Sequence, residues 1–190
     1  MAGPASLPTI LASQSRAGTL FNTYTTAKRV QNDEDVFNVP GNYLKLGARF
    51  RYEIRGALSN VATTPGNVFF QVMMGPTSNI IAWTSGNLAL NASARTLLPF
   101  SLDIDLRVNS VGPTTSAAFI GQGWFNGIHL SGTDSRINVP TTAPAAGTGF
   151  DSVAVAGNVM EIFVGFSNSQ AGNGVQLLQC DLWQLSGFSQ

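Results

Sequence analysis

From Leu98 to Val108 every second residue is apolar: Leu98, Phe100, Leu102, Ile104, Leu106 and Val108. A two-residue period puts these on one side of an extended strand, and Ser101, Asp103, Asp105 and Arg107 on the other. Each such side chain contributes about 1.5–3 kcal/mol when fully buried. A slip of one residue would carry the whole set into water, so the register is strongly specified. A chain holding this segment must build a sheet with one dry and one wet side.

The same alternation recurs at 49–58, with Phe50, Tyr52, Ile54 and Leu58 against Arg49, Arg51, Glu53 and Arg55. Further strands are predicted at 67–75, 79–83, 115–121, 124–130, 152–156, 159–167 and 175–185. Several are apolar on both faces, as in Val68-Phe69-Phe70-Gln71-Val72-Met73-Met74. Such a strand is either central in a sandwich or covered by a second subunit. Turn signals separate the runs: Pro40-Gly41-Asn42, Pro65-Gly66-Asn67, Gly75-Pro76, Gly112-Pro113, Gly157-Asn158 and Gly172-Asn173-Gly174. Strand after strand without a helical period predicts an all-β, antiparallel sandwich or jelly roll. One domain over 16–190 is expected, preceded by an extended N-terminal arm at 1–15. Around Leu20, Tyr24 and Ala27 helical spacing competes with the strand preference of Thr19, Thr23, Thr25 and Thr26. The reading there is strand, with a helical turn near 28–33. Residues 138–149, rich in Pro, Ala, Thr and Gly, are expected to form a surface loop.

Charge narrows the function. Only 11% of residues are Asp, Glu, Lys or Arg, and ten basic side chains cancel ten acidic ones; about 25% charged is typical. A chain with so little cationic surface has little with which to neutralise phosphates, so nucleic-acid binding is not expected. Basic membrane-surface binding is not expected either, and no apolar run reaches the roughly 20 residues of a membrane helix. Near-zero net charge favours association with other protein surfaces. Met1-Ala2-Gly3-Pro4-Ala5-Ser6-Leu7-Pro8 shows no secretory leader pattern, so synthesis in the cytoplasm is expected.

Catalytic inventories are short. His129 is the sole histidine and excludes a multi-histidine metal site. Its ordinary reading is a partly buried structural residue. No Gly-x-Ser-x-Gly elbow supports a serine triad. Cys180 alternates with Leu178 and Leu182 and reads as a small core residue. Asp103 and Asp105 lie roughly 6.5–7 Å apart along one strand, a spacing open to a glycosidase or a calcium site. Arg107, Arg49, Arg51 and Arg55 make cross-strand ion pairs the simpler account. Gly121-Gln122-Gly123, Gly147-Thr148-Gly149 and Gly172-Asn173-Gly174 lack the strand–turn–helix setting of a dinucleotide site and read as turns. Asn91-Ala92-Ser93 matches a glycosylation acceptor, without a leader to bring it there. No enzyme activity, cofactor or metal is expected. Trp83 and Trp124 are candidate stacking faces for a sugar, and with Asp103, Asp105 and Arg107 they form the candidate interface or ligand contacts; Trp183 is a further tryptophan of the same kind.

Three segments carry a resemblance: Pro40-Gly41-Asn42-Tyr43-Leu44-Lys45-Leu46-Gly47, Thr64-Pro65-Gly66-Asn67, and Pro99-Phe100-Ser101-Leu102-Asp103-Ile104-Asp105-Leu106. Over the middle third, the chain resembles virion structural proteins of tailed bacteriophages with jelly-roll, tumour-necrosis-factor-like folds. The resemblance implies a non-enzymatic head-decoration or tail-accessory protein in the virion, assembled as a trimer and touching other virion proteins. It carries no functional residue with it. A carbohydrate-binding module that engages surface glycans in host attachment is the alternative.

Overall fold

The computed structural model describes residues 7–22, 25–75, 80–130, 136–139, 149–153, 158–168 and 170–186. The strands are β1 (Thr9–Ser13), β2 (Phe21–Asn22), β3 (Lys28–Arg29), β4 (Phe37–Val39), β5 (Arg49–Asn60), β6 (Asn67–Met74) and β7 (Ile80–Thr84). They continue with β8 (Leu88–Ala89), β9 (Arg95–Ser110), β10 (Ala118–Asn126), β11 (Arg136–Val139), β12 (Asn158–Phe166) and β13 (Gly174–Ser186). One 3₁₀ turn, Asp33–Asp35, interrupts them, and no α-helix occurs among the described residues.

These strands form two antiparallel sheets. The longer runs β1-β13-β5-β9-β10-β11, with β2 also on β13; the shorter runs β3-β12-β6-β7, with β4 on β12 and β8 on β6. Taking β1/β2, β3/β4 and β7/β8 as one run each and setting the β10–β11 hairpin aside, the long sheet holds the first, eighth, third and sixth runs, and the short sheet the second, seventh, fourth and fifth. That is the jelly-roll order. The β10–β11 hairpin is an insertion that widens the long sheet beyond β9.

The inward sets meet in one continuous core. Phe50, Tyr52, Ile54, Leu102, Ile104 and Leu106 from the long sheet pack against Val68, Phe70, Val72, Ile162 and Val164 from the short one. Phe100 and Phe125 stack with centroids 5.5 Å apart, and Phe70 lies 5.6 Å from Phe100. The alternation at 49–58 and 98–108 is thus realised as read.

Three local readings change. Gly121-Gln122-Gly123 lies inside β10 and joins the two strands expected at 115–121 and 124–130, whose outer ends fall outside it. These glycines serve close approach: a Cβ on Gly121 would stand 2.6 Å from Leu106 Cδ2 and 2.8 Å from the Asp105 carbonyl oxygen. Leu178 does not share the inward face of Cys180. A bulge between Leu177 and Gln179 turns it out, 54% exposed. The helical turn falls at Asp33–Asp35 rather than at Lys28, which pairs within β3. Of the expected arm, residues 1–6 lie outside the described residues, and Thr9–Ser13 is an edge strand on β13. Of the 138–149 loop, 138 and 139 belong to β11 and 140–148 lie outside the described residues.

Candidate functional site

The outward side of the long sheet gathers most of the sequence-predicted contacts. Cross-strand register places Asp105 between Arg51 on β5 and Gln122 on β10, and Asp103 between Glu53 and Trp124. Arg51 donates from Nε and Nη2 to the two carboxylate oxygens of Asp105, at 2.7 and 3.1 Å. That bond, above all, raises the Arg51 pKa from its ordinary value. Arg55 Nη1 donates to Asp103 Oδ1 at 2.7 Å and to the Ile54 carbonyl at 2.8 Å. Both aspartates are therefore held by arginines across the strands, as on a wet sheet. Arg107 is exposed opposite Arg49, and neither makes an ion pair among the described residues.

The two candidate tryptophans part company. Trp124 is half-buried on this outward face, beside Asp103. Trp83 belongs to the short sheet and is only 3% exposed, with its indole against Gly121. It offers no stacking face to a ligand, because β7 directs it into the core, and its Nε1 is buried with no partner among the described residues. Trp183 is half-buried on the outward face of β13, opposite Arg51.

A groove at the edge of this face follows from unequal strand lengths. β9 pairs with β5 from Arg95 to Arg107, whereas β10 pairs with β9 only as far as Ser101↔Asn126. Beyond that point the chain leaves the sheet at Gly127, and one side of β9 stands open. Pro99, which has no N–H to give, sits on this open stretch. The notch is a groove of about 510 Å³ lined by Leu98, Pro99, Phe100 and Ser101 from β9, Asn126, Gly127 and Ile128 from the β10 exit, and Arg55 from β5. Its volume lies in the range of small-molecule sites, roughly 300–1,000 Å³. The side chains of Ser101 and Asn126 and the Nε and Nη2 of Arg55 have no protein hydrogen bond among the described residues. Beside it Leu97 has φ 47°, a left-handed conformation that a leucine rarely adopts. Ser59 Oγ accepts a hydrogen bond from Leu97 N at 2.8 Å and holds the kink in place. Leu97 is 48% exposed and Ile128 50%.

The remaining chemical candidates are interior. His129 is fully buried, and neither ring nitrogen has a hydrogen-bond partner among the described residues. Burial lowers its pKa; the Leu58 main chain opposes this and the Arg95 charge adds to it. Cys180 is a fully buried free thiol whose pKa burial pushes far above the ordinary range. Asn91 accepts from Ser93 N at 2.9 Å in a local turn. Among the described residues no group of His, Cys, Asp and Glu is arranged to hold a metal ion.

Neither a protein-family model nor a curated protein matches the sequence. Among solved structures, the CBM2 module of the evolved Dit of Lactobacillus casei BL23 phage J-1 aligns with 97% of this chain and 99% of its own, at 10% identity and a TM-score of 0.42. Arcelin-5, a lectin-like defense protein from Phaseolus vulgaris, aligns with 96% of this chain and 100% of its own, at 7% identity and a TM-score of 0.41. Likeness of this degree assigns no ligand and no role.

Proposed function

We propose that this chain is a non-enzymatic structural component of a bacteriophage particle, of head-decoration or tail-accessory type, working through subunit contacts in a trimer. One observation carries the proposal. Among the outward positions of the central strands of the short sheet, where a wet sheet would be polar throughout, Phe69 and Phe163 stand beside Gln71 and Glu161, with Val159 on the same face and Ile81, 36% exposed, on β7. Phe69 lays its ring over Gly165, so an aromatic surface covers this part of the face. Covering such a face with a neighbour gains about 25 cal/mol per Å² of apolar surface removed from water. Light scattering behind a sizing column across a concentration series tests it. A mass three times the chain's supports the proposal, and a stable monomer at micromolar concentration that binds no phage head or tail overturns it.

A second reading, carbohydrate binding in host attachment, is favoured by the groove at Arg55, Ser101 and Asn126. Its polar side chains keep free hydrogen-bonding capacity beside an apolar floor, the mixture that a saccharide requires. Glycan-array binding that Asn126→Ala abolishes supports this reading. Silence on the array removes it.

A further inference from the structure

The groove differs from a stacking platform in what its walls are made of, and we propose that it selects a saccharide bearing a methyl group, a 6-deoxyhexose or an N-acetylhexosamine. This inference rests on the carbohydrate reading above and adds the specificity of the site.

The walls are aliphatic. Leu98, Pro99 and the half-exposed Ile128 face the opening. The aromatic residue in the lining, Phe100, is 4% exposed and stacked on Phe125 at an interplanar angle of 9°. It supports the floor from beneath and has no open face on which a sugar ring could lie. Trp124 stands outside the lining, two residues from Asn126. Recognition through a stacked pyranose face is therefore not what this cleft is built for. Aliphatic walls reward the removal of a methyl group from water, an interaction without orientation. Orientation comes from the other wall. Arg55, with Nη1 anchored on Asp103 and the Ile54 carbonyl, holds its Nε and Nη2 in a fixed plane as paired donors. Asn126 supplies a donor and an acceptor, and Ser101 a hydroxyl. Hydroxyls of one sugar edge meet this polar wall while the methyl group sits against Ile128, Pro99 and Leu98. The kink at Leu97, held by Ser59, fixes the β9 backbone beside the groove.

Titration calorimetry with matched pairs tests this: L-rhamnose against L-mannose, L-fucose against L-galactose, and N-acetylglucosamine against glucose. In each of the first two pairs the members differ by one methyl for one hydroxymethyl group, and the third tests the acetyl methyl. The expected result is at least one pair in which the methyl-bearing sugar binds about four-fold more tightly, the effect of burying one methyl. Which pair shows it tells the deoxy source from the acetyl source. Saturation-transfer NMR should then be strongest at the methyl protons. Ile128→Ser, at a half-exposed position that the fold does not need, should erase the preference and keep residual binding. Trp124→Ala should leave the preference intact. If no saccharide binds, the carbohydrate reading fails and this inference with it. If sugars bind without preference within any pair, or if the preference survives Ile128→Ser, the methyl-selective groove is overturned while the carbohydrate reading stands.

Discussion

The two sheets of this jelly roll show the solvent opposite chemistries. On the long sheet the outward residues of β5 and β9 are charged and matched across the strands, Arg51 with Asp105 and Arg55 with Asp103. On the short sheet the outward residues of β6 and β12 include Phe69, Phe163 and Val159, and one ion pair, Arg29–Glu161, lies among them. Both arise from the same two-residue period, and both put an apolar set inside. What differs is whether the outward set satisfies itself. The long sheet does so through Arg51–Asp105 and Arg55–Asp103 and can stay wet, leaving Arg49 and Arg107 to the solvent and a notch beyond Asn126. The short sheet does not, and its outward face is the natural place for a neighbour.

The largest expected effect breaks that comparison most directly. Phe163→Asp combined with Phe69→Asp should reduce the proposed trimer to monomers in light scattering, whereas Arg51→Ala combined with Asp105→Ala should leave the mass unchanged. If the second pair dissociated the assembly and the first did not, the roles assigned to the two faces would be reversed. Next, Gly121→Val should destabilise the long sheet by about 1–3 kcal/mol in urea denaturation, because the new side chain must displace Leu106 and the Asp105 carbonyl. A smaller effect measures how self-satisfied the wet face is. A double-mutant cycle on Arg51 and Asp105 should return a coupling of about 0.2–1 kcal/mol that weakens in high salt. A coupling near zero would make the charged ladder ornamental.

The smallest effect belongs to neither face. His129 is buried, and the charged group acting on it is Arg95. Its folded-state pKa lies below the ordinary 6.5, so the unfolded chain takes the proton more readily. This contribution to stability is complete above about 6.5 and is lost as pH falls towards the folded-state value. The melting temperature should therefore decline as pH drops through that window, and His129→Gln should flatten the decline. A melting temperature that rises on acidification would contradict the buried neutral imidazole.

Much of the framework is legible in the residues. Phe50, Tyr52, Ile54, Leu102 and Ile104 are inward because alternation of that length has one solution, and the charged residues between them are outward for the same reason. The wet ladder follows, since Asp103 and Asp105 lie among arginines on a neighbouring strand of the same period. What is not legible depends on pairing partners. Glycine in Gly121-Gln122-Gly123 reads as a turn by itself, and only the closeness of Leu106 and Trp83 makes it a strand residue. Trp83 and Trp124 are alike as residues, and the strand each lies on decides which is core. Leu178 breaks the alternation through a bulge, which one extra residue creates without any residue type to announce it. The groove did have a signal: Pro99, in the middle of a strongly patterned strand, marks the stretch where one neighbour is missing. Leu97 and Ile128 had none, because their exposure is set by where β10 ends.

The pairing of β13 has a consequence for how the molecule comes into being. This strand, at Gly174–Ser186, lies between β5 and the first strand of the chain, with Thr9 opposite Gln184 and Ser13 opposite Asp181. Until β13 has been synthesised, one edge of β5 has no partner and β1 has nothing to join. The nascent protein thus carries an open edge on β5 from the time Arg49–Asn60 is made until Gly174–Ser186 follows. Contacts this distant in sequence place folding among the slow, β-rich cases. During that interval the waiting edge of β5 is where an unfinished copy would capture the strand of another.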